Sequence, residues 1–199
     1  SFGTIQAAVD AAENGDTIRL LAEASNSGNK GENLNLEGRT LTFDLNGHTW
    51  TGKREGSYIG DVVPGIASVI TASNSNLTII GSGTIQANAN YRAFTLTDTN
   101  LTIGTEGEEN GPQIRGNEST SSGRGITRET TEKNKGGVIF AQGGSIAFNS
   151  GTITDGYVRG TGTSDTAKAY GGGIAVLNGT FTMNGGSIEG NMSDPGSST

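Results

Sequence analysis

The sequence contains no cysteine, so neither a disulfide framework nor thiol chemistry is available to it. It has one histidine, His48 in LNGHTW, which excludes a multi-histidine metal centre; a surface corner is the expected place for it. Hydrophobic residues make up only 31% of the 199, and no run approaches the ~18 apolar residues of a membrane span. Net charge is -7, so a basic stripe of the kind that grips nucleic acid is not expected. The NGG and GSG triplets lack the following lysine and helix of a phosphate loop. The acidic run TEGEENG lacks the alternating ligands of an EF-hand and reads as a solvated loop. No cofactor or metal is expected.

Glycine is abundant instead, 34 residues where roughly 7% is usual. It weakens strands and suits sharp corners. The glycines punctuate a repeat. Gly136 to Ile153, GGVIFAQGGSIAFNSGTI, returns at Gly171 to Ile188 as GGGIAVLNGTFTMNGGSI, a gapless offset of 35 residues. A fixed period signals stacked units that cannot bury a face alone.

Within each unit, two apolar residues alternate with small ones, and seven positions later two more do the same. The pairs are Leu34, Leu36 with Leu41, Phe43; Ile70, Ala72 with Leu77, Ile79; Phe94, Leu96 with Leu101, Ile103; Ile139, Ala141 with Ile146, Phe148; and Ile174, Val176 with Phe181, Met183. A third apolar position follows each: Trp50, Ile85, Ile114, Ile153 and Ile188. Alternation in short runs bounded by Gly, Asn and Ser means half-buried strands. Three strands per unit, unit stacked on unit, predict an all-β chain forming a three-sided parallel solenoid of five to six coils. Trp50 aligns with inward Ile85 and is expected in the core rather than as a sugar-stacking platform.

Residues 1–199 read as one domain: a capping helix and first strand over 1–21, coils over 22–191 and a tail over 192–199. The helix is Thr4 to Ala12, with Ile5, Ala8, Val9 and Ala12 on one face and Asn14-Gly15 closing it. No such cap follows Ile188-Glu189-Gly190-Asn191; either more coils follow in the natural protein or another chain covers this edge, and an open edge invites self-association. An export signal is expected upstream of residue 1.

The opening SFGTIQAAVDAAENGDTIRL resembles that of pectate-lyase-like right-handed parallel β-helix proteins. The GGGI…NGT…MNGGSIEGN units are similar to glycine-rich repeats in surface proteins of gut-dwelling Gram-positive bacteria. The resemblance covers most of the chain. It implies a secreted or cell-wall-attached protein, and a corner after the second strand where left-handed Asn residues stack, here Asn149 and Asn184. It specifies function weakly, because one such fold hosts lyases, hydrolases, adhesins and stalks.

The spacing between successive second strands is uneven, 36, 24, 45 and 35 residues, and nearly all the excess falls between the third strand of one coil and the first of the next. Insertions at one corner build a wall along one side, often the binding face. The wall segments hold all four tyrosines and eleven of the thirteen cations, with nine acids. Tyr and Arg favour recognition surfaces. The candidate ligand-binding residues are Tyr58, Tyr91, Arg92, Tyr157, Arg159 and Tyr170. The bland reading, that long loops are polar anyway, carries similar weight.

Catalysis in the resembled enzymes runs along the outer face of the first sheet. The outward positions expected here are Thr71, Ser73; Thr95, Thr97; Phe140, Gln142; and Ala175, Leu177, with no ionisable residue among them. No catalytic residue is assigned, although loop carboxylates Asp61, Asp155 and Asp165 are free to converge. The expected function is a non-enzymatic adhesin or binding module contacting a glycan or host protein. The alternatives are a polysaccharide lyase or hydrolase, a passive stalk and, remotely, an ice-binding face built from the Thr-rich outer positions of the second sheet.

Overall fold

The computed structural model describes residues 1–24, 31–53, 68–88, 92–116, 135–159 and 169–194, the side chain of Arg159 excepted. A short helix, α1 (Ile5–Ala11), and a strand, β1 (Thr17–Arg19), precede five triplets of strands. These are β2 (Leu34–Glu37), β3 (Thr40–Asp44), β4 (Thr49–Thr51); β5 (Ser68–Ser73), β6 (Asn76–Ile80), β7 (Thr84–Gln86); and β8 (Arg92–Thr97), β9 (Asn100–Ile103), β10 (Gln113–Arg115). The last two triplets each add a fourth short strand: β11 (Ile139–Gln142), β12 (Ser145–Phe148), β13 (Thr152–Thr154), β14 (Tyr157–Arg159); and β15 (Ile174–Leu177), β16 (Thr180–Met183), β17 (Ser187–Ile188), β18 (Met192–Asp194).

The chain is all-β with parallel sheets. First strands form one sheet in the order β15-β11-β8-β5-β2, second strands join β1 in another, third strands form a third, and β14 pairs with β18. Register follows the apolar pattern. Leu41 pairs with Leu77, Leu77 with Leu101, Leu101 with Ile146, and Ile146 with Phe181. Trp50, Ile85, Ile114, Ile153 and Ile188 align likewise. A slip of one residue would turn every one of these side chains to water, which is why the pattern fixes the pairing. Trp50 is fully buried and donates its indole N–H to the Glu32 carbonyl at 2.9 Å.

Polar side chains stack as the apolar ones do. On the outer face of the second sheet, Asn100 donates to the Asn76 amide oxygen at 2.9 Å, and Ser145 donates to that of Asn100 at 2.7 Å. Asn184 donates to Asn149 at 2.8 Å, so the expected stack is present. Its backbone differs from expectation: among the described residues, the non-glycine ones with positive φ are Asn46, Asn74, Asp98, Asp155 and Asn178, not Asn149 or Asn184. Asn74, Asp98 and Asn178 sit in the two-residue turn between first and second strands, the tightest bend in each triplet, where a left-handed residue is most needed.

That first turn is two residues long in all five triplets. Second and third strands are joined by three or four residues, except for the nine between β9 and β10. The long stretches leave between a third strand and the next first strand, spanning residues 52–67, 116–138 and 155–173.

The helix closes one end. Ile5 and Val9 are buried, with Ala8 and Ala12 packed against the core. Thr4 caps it by accepting from the Ala7 amide at 3.1 Å. The Glu32 carboxylate accepts from the Ile5 and Gln6 amides at 2.8 and 3.2 Å. At the other end Arg39 donates to the carbonyls of Val9 and Ala12 at 3.1 and 2.7 Å. Toward the opposite end of the stack, the core-register side chains Phe181, Met183 and Ile188 are exposed among the described residues.

Candidate functional site

The corner between third and first strands is where the candidate residues were expected. Tyr58 and Tyr91 lie outside the described residues, and of Arg159 only the backbone placement in β14 is described. The other three are described, each with a different neighbour. Tyr170, just before β15, is exposed; it bridges Lys135 of the preceding triplet, and its carbonyl accepts from the Gly136 amide at 3.0 Å. Tyr157, half-buried at the start of β14, bonds through its hydroxyl to the Asp194 carboxylate at 3.1 Å. That contact ties β14 to β18, so Tyr157 has a structural part in the corner.

Arg92 departs from expectation. It is not in the corner loop but is the first residue of β8, and it is only 1% exposed. Its guanidinium lies 5.1 Å from the centre of the Phe140 ring on the next triplet. Ile139 and Ala141, flanking Phe140, belong to the core, so Phe140 and the guanidinium over it lie on the outer side of the first sheet. Ser68, which pairs with Arg92, bonds through its hydroxyl to that of outward Thr95 at 2.6 Å.

The backbone explains the orientation. The amides of Ala93 and Phe94 both donate to the Val138 carbonyl, at 2.9 and 3.1 Å. Val138 and Ile139 repeat this on the Gly173 carbonyl, at 2.8 and 3.0 Å. Two successive amides on one acceptor mark a β-bulge, which re-aims the residue before it. Strict alternation from core residue Phe94 would point Arg92 inward. The bulge turns it out, onto the face expected to carry no charge. Positive charge next to an otherwise neutral, hydroxyl-bearing strip is therefore the feature that sequence alternation missed; no signal in the sequence marks the bulge.

The electrostatics of Arg92 are unusual. Its Nε and Nη2 atoms are buried without a hydrogen-bond partner, as is Ser150 Oγ among the described residues. Burial pushes its pKa down to about 9, because desolvation disfavours the charged form. The other arginines whose side chains are described are engaged. Arg19 binds Asp44 through Nε at 2.8 Å, Arg115 binds Asp155 through Nε at 2.6 Å, and Arg39 holds the helix.

The chain matches no known family model, no curated protein and no solved structure.

Of the remaining ionisable groups, Asp155 is held by Arg115 rather than offered to a ligand, and Asp61 and Asp165 lie outside the described residues. Among the described residues there is no group of three His, Asp or Glu placed to hold a metal. His48 lies at a corner 3.6 Å from the Glu23 carboxylate, whose pKa is lowered mainly by a hydrogen bond from the Thr49 amide. A groove of about 590 Å³ runs between α1 and the stretch Asp16–Ala24, bordered by Phe2, Leu21 and Glu32.

Proposed function

We propose that the protein is a non-enzymatic binding module whose contact surface is the corner between third and first strands. The architecture we infer is a right-handed parallel β-helix of the pectate-lyase-like type, akin to glycine-rich surface adhesins and displayed outside a bacterial cell. The observation that carries this reading is the distribution of chain length. One turn is two residues long in all five triplets, while the long connections leave from a single corner. Rigid sheets that present excursions on one side are a common way to build a recognition surface. Tyr170 and Lys135 stand there side by side on successive triplets, an aromatic and a cation suited to a glycan or host-protein ligand.

Binding of the whole chain to glycan and extracellular-protein arrays tests the reading. The Tyr170→Ala, Lys135→Ala double variant is expected to lose at least tenfold in apparent affinity for any ligand found. Undiminished binding by that variant would remove the corner as the contact surface.

A further inference from the structure

We infer that the groove between α1 and β1 receives an extended, basic peptide segment, which adds as a strand to the outer edge of β1. This is a second surface, at the lidded end of the stack, and it is independent of the corner. Three observations converge. The first is a free strand edge. β1 ends the six-stranded sheet and pairs only with β3. In that ladder the Asp16 carbonyl accepts from the Thr42 amide at 3.0 Å, and the Leu20 amide donates to the Asp44 carbonyl at 2.9 Å. Backbone groups alternate sides along a strand, so the amides and carbonyls of Thr17 and Arg19 point away from β3. They meet no partner among the described residues, and both residues line the groove.

Second, there is room. The groove holds about 590 Å³ beside that edge, inside the ~300–1,000 Å³ range of ligand sites. Its lining includes Ile5, Ile18 and Leu20, and Phe2 and Leu21 border it, 59% and 69% exposed. Outside Tyr170 and the last four strands, these two are the large apolar side chains left in water among the described residues. Strand addition uses such a setting: the main chain supplies hydrogen bonds, and alternate side chains fill the apolar groove. α1 already covers the neighbouring core with Ile5 and Val9, so the space suits one strand rather than a whole coil. Third, the charged side chains along the groove are Asp16, Glu23, Glu32 and Arg19. Arg19 is already bonded to Asp44 at 2.8 Å. Three carboxylates against one answered cation favour lysine or arginine in the incoming segment and disfavour acids.

The test uses the whole chain and the end-capped peptide KVTVKV, against EVTVEV and against KVTVKV N-methylated at alternate residues. Binding is followed by fluorescence anisotropy and by hydrogen exchange of the Thr17 and Arg19 amides, read by NMR. KVTVKV is expected to protect both amides and to bind at least tenfold more tightly than either control. Thr17→Pro removes an amide that β3 does not use, and Leu21→Asp puts a charge on the exposed border. Each is expected to weaken binding at least tenfold, with Leu21→Asp melting as wild type does. The Tyr170→Ala, Lys135→Ala variant is expected to bind KVTVKV undiminished, which separates this site from the corner. Equal binding of the N-methylated peptide would overturn strand addition, and equal binding of EVTVEV would overturn the basic partner. Full affinity in Leu21→Asp, or no amide protection at millimolar KVTVKV, would overturn the site itself. Protection of Thr17 and Arg19 without peptide would overturn it too: a second copy fills the groove if protection grows with protein concentration, and this chain's own segments fill it if not.

Discussion

Arg92 makes the sharpest prediction at the scale of a single residue. Replacing a buried, uncompensated charge by an apolar side chain of similar length is expected to stabilise by about 1–4 kcal/mol. Arg92→Met should therefore raise the denaturation midpoint of the free protein, measured by urea titration. The pH dependence has a definite sign. The folded pKa, about 9, lies below the ordinary arginine value, so between the two the unfolded chain holds the extra proton. Stability then rises with pH across that window, and the cost of the buried charge is fully present below pH 9. The gap between wild type and Arg92→Met should narrow as pH rises from 8.5 to 10.5. The groups beside Arg92 on β5, β8 and β11 are Ser68, Thr95 and Phe140, none of which titrates there. Gly144 gives a second case. Its φ is +68°, and a Cβ there would strike the Thr99 carbonyl. Gly144→Ala should cost about 1–3 kcal/mol by the same titration. Glycines at corners were legible in the sequence. The outward turn of Arg92 was not, because two amides sharing one carbonyl leave no mark on apolar spacing.

At the scale of an element, α1 shows how a weak helix is made to persist. Seven residues are too few for stability in isolation. Two charged side chains on either side of β2 hold its ends, Glu32 on the first amides and Arg39 on the last carbonyls. Each opposes the partial charge at the terminus it meets. Arg39→Ala is expected to cost about 1–3 kcal/mol and to speed amide exchange in α1 before any strand is affected. The helix itself was legible from the spacing of Ile5, Ala8, Val9 and Ala12. Its clamps were not, because Glu32 and Arg39 stand 26 to 30 residues from the atoms they bind. The strand ladders divide the same way. Apolar register from Leu34 to Ile188 could be read directly, since one side of every strand must leave water. The polar stack of Asn76, Asn100 and Ser145 could be placed on one face but not bonded in advance, as side-chain rotamers decide it. Of the six candidate residues, Tyr157 and Tyr170 lie along the expected corner, whereas Arg92 is the buried first residue of β8.

For the molecule as a whole, the two ends are unlike. Leu77, Leu101 and Ile146 are each about 1% exposed, whereas Phe181 in the same register is 37% exposed. Stability in such an array is close to a sum of unit and nearest-neighbour contributions. Truncating the aligned side chains to Ala should therefore cost about 2–5 kcal/mol at Leu101 and markedly less at Phe181, by denaturant titration. Hydrogen exchange should likewise enter at β16 and β17 and proceed toward α1. The 35-residue offset between the repeats that begin at Gly136 and Gly171 carries this further. Ile139 and Ile174 occupy one position in two consecutive layers, so excising residues 136–170 splices Lys135 to Gly171 and sets β15 directly on β8. The fold is thereby a cassette with an adjustable length: the shortened protein keeps its three main sheets and its lid, and loses one rung of about 4.8 Å together with the pairing of β14 to β18.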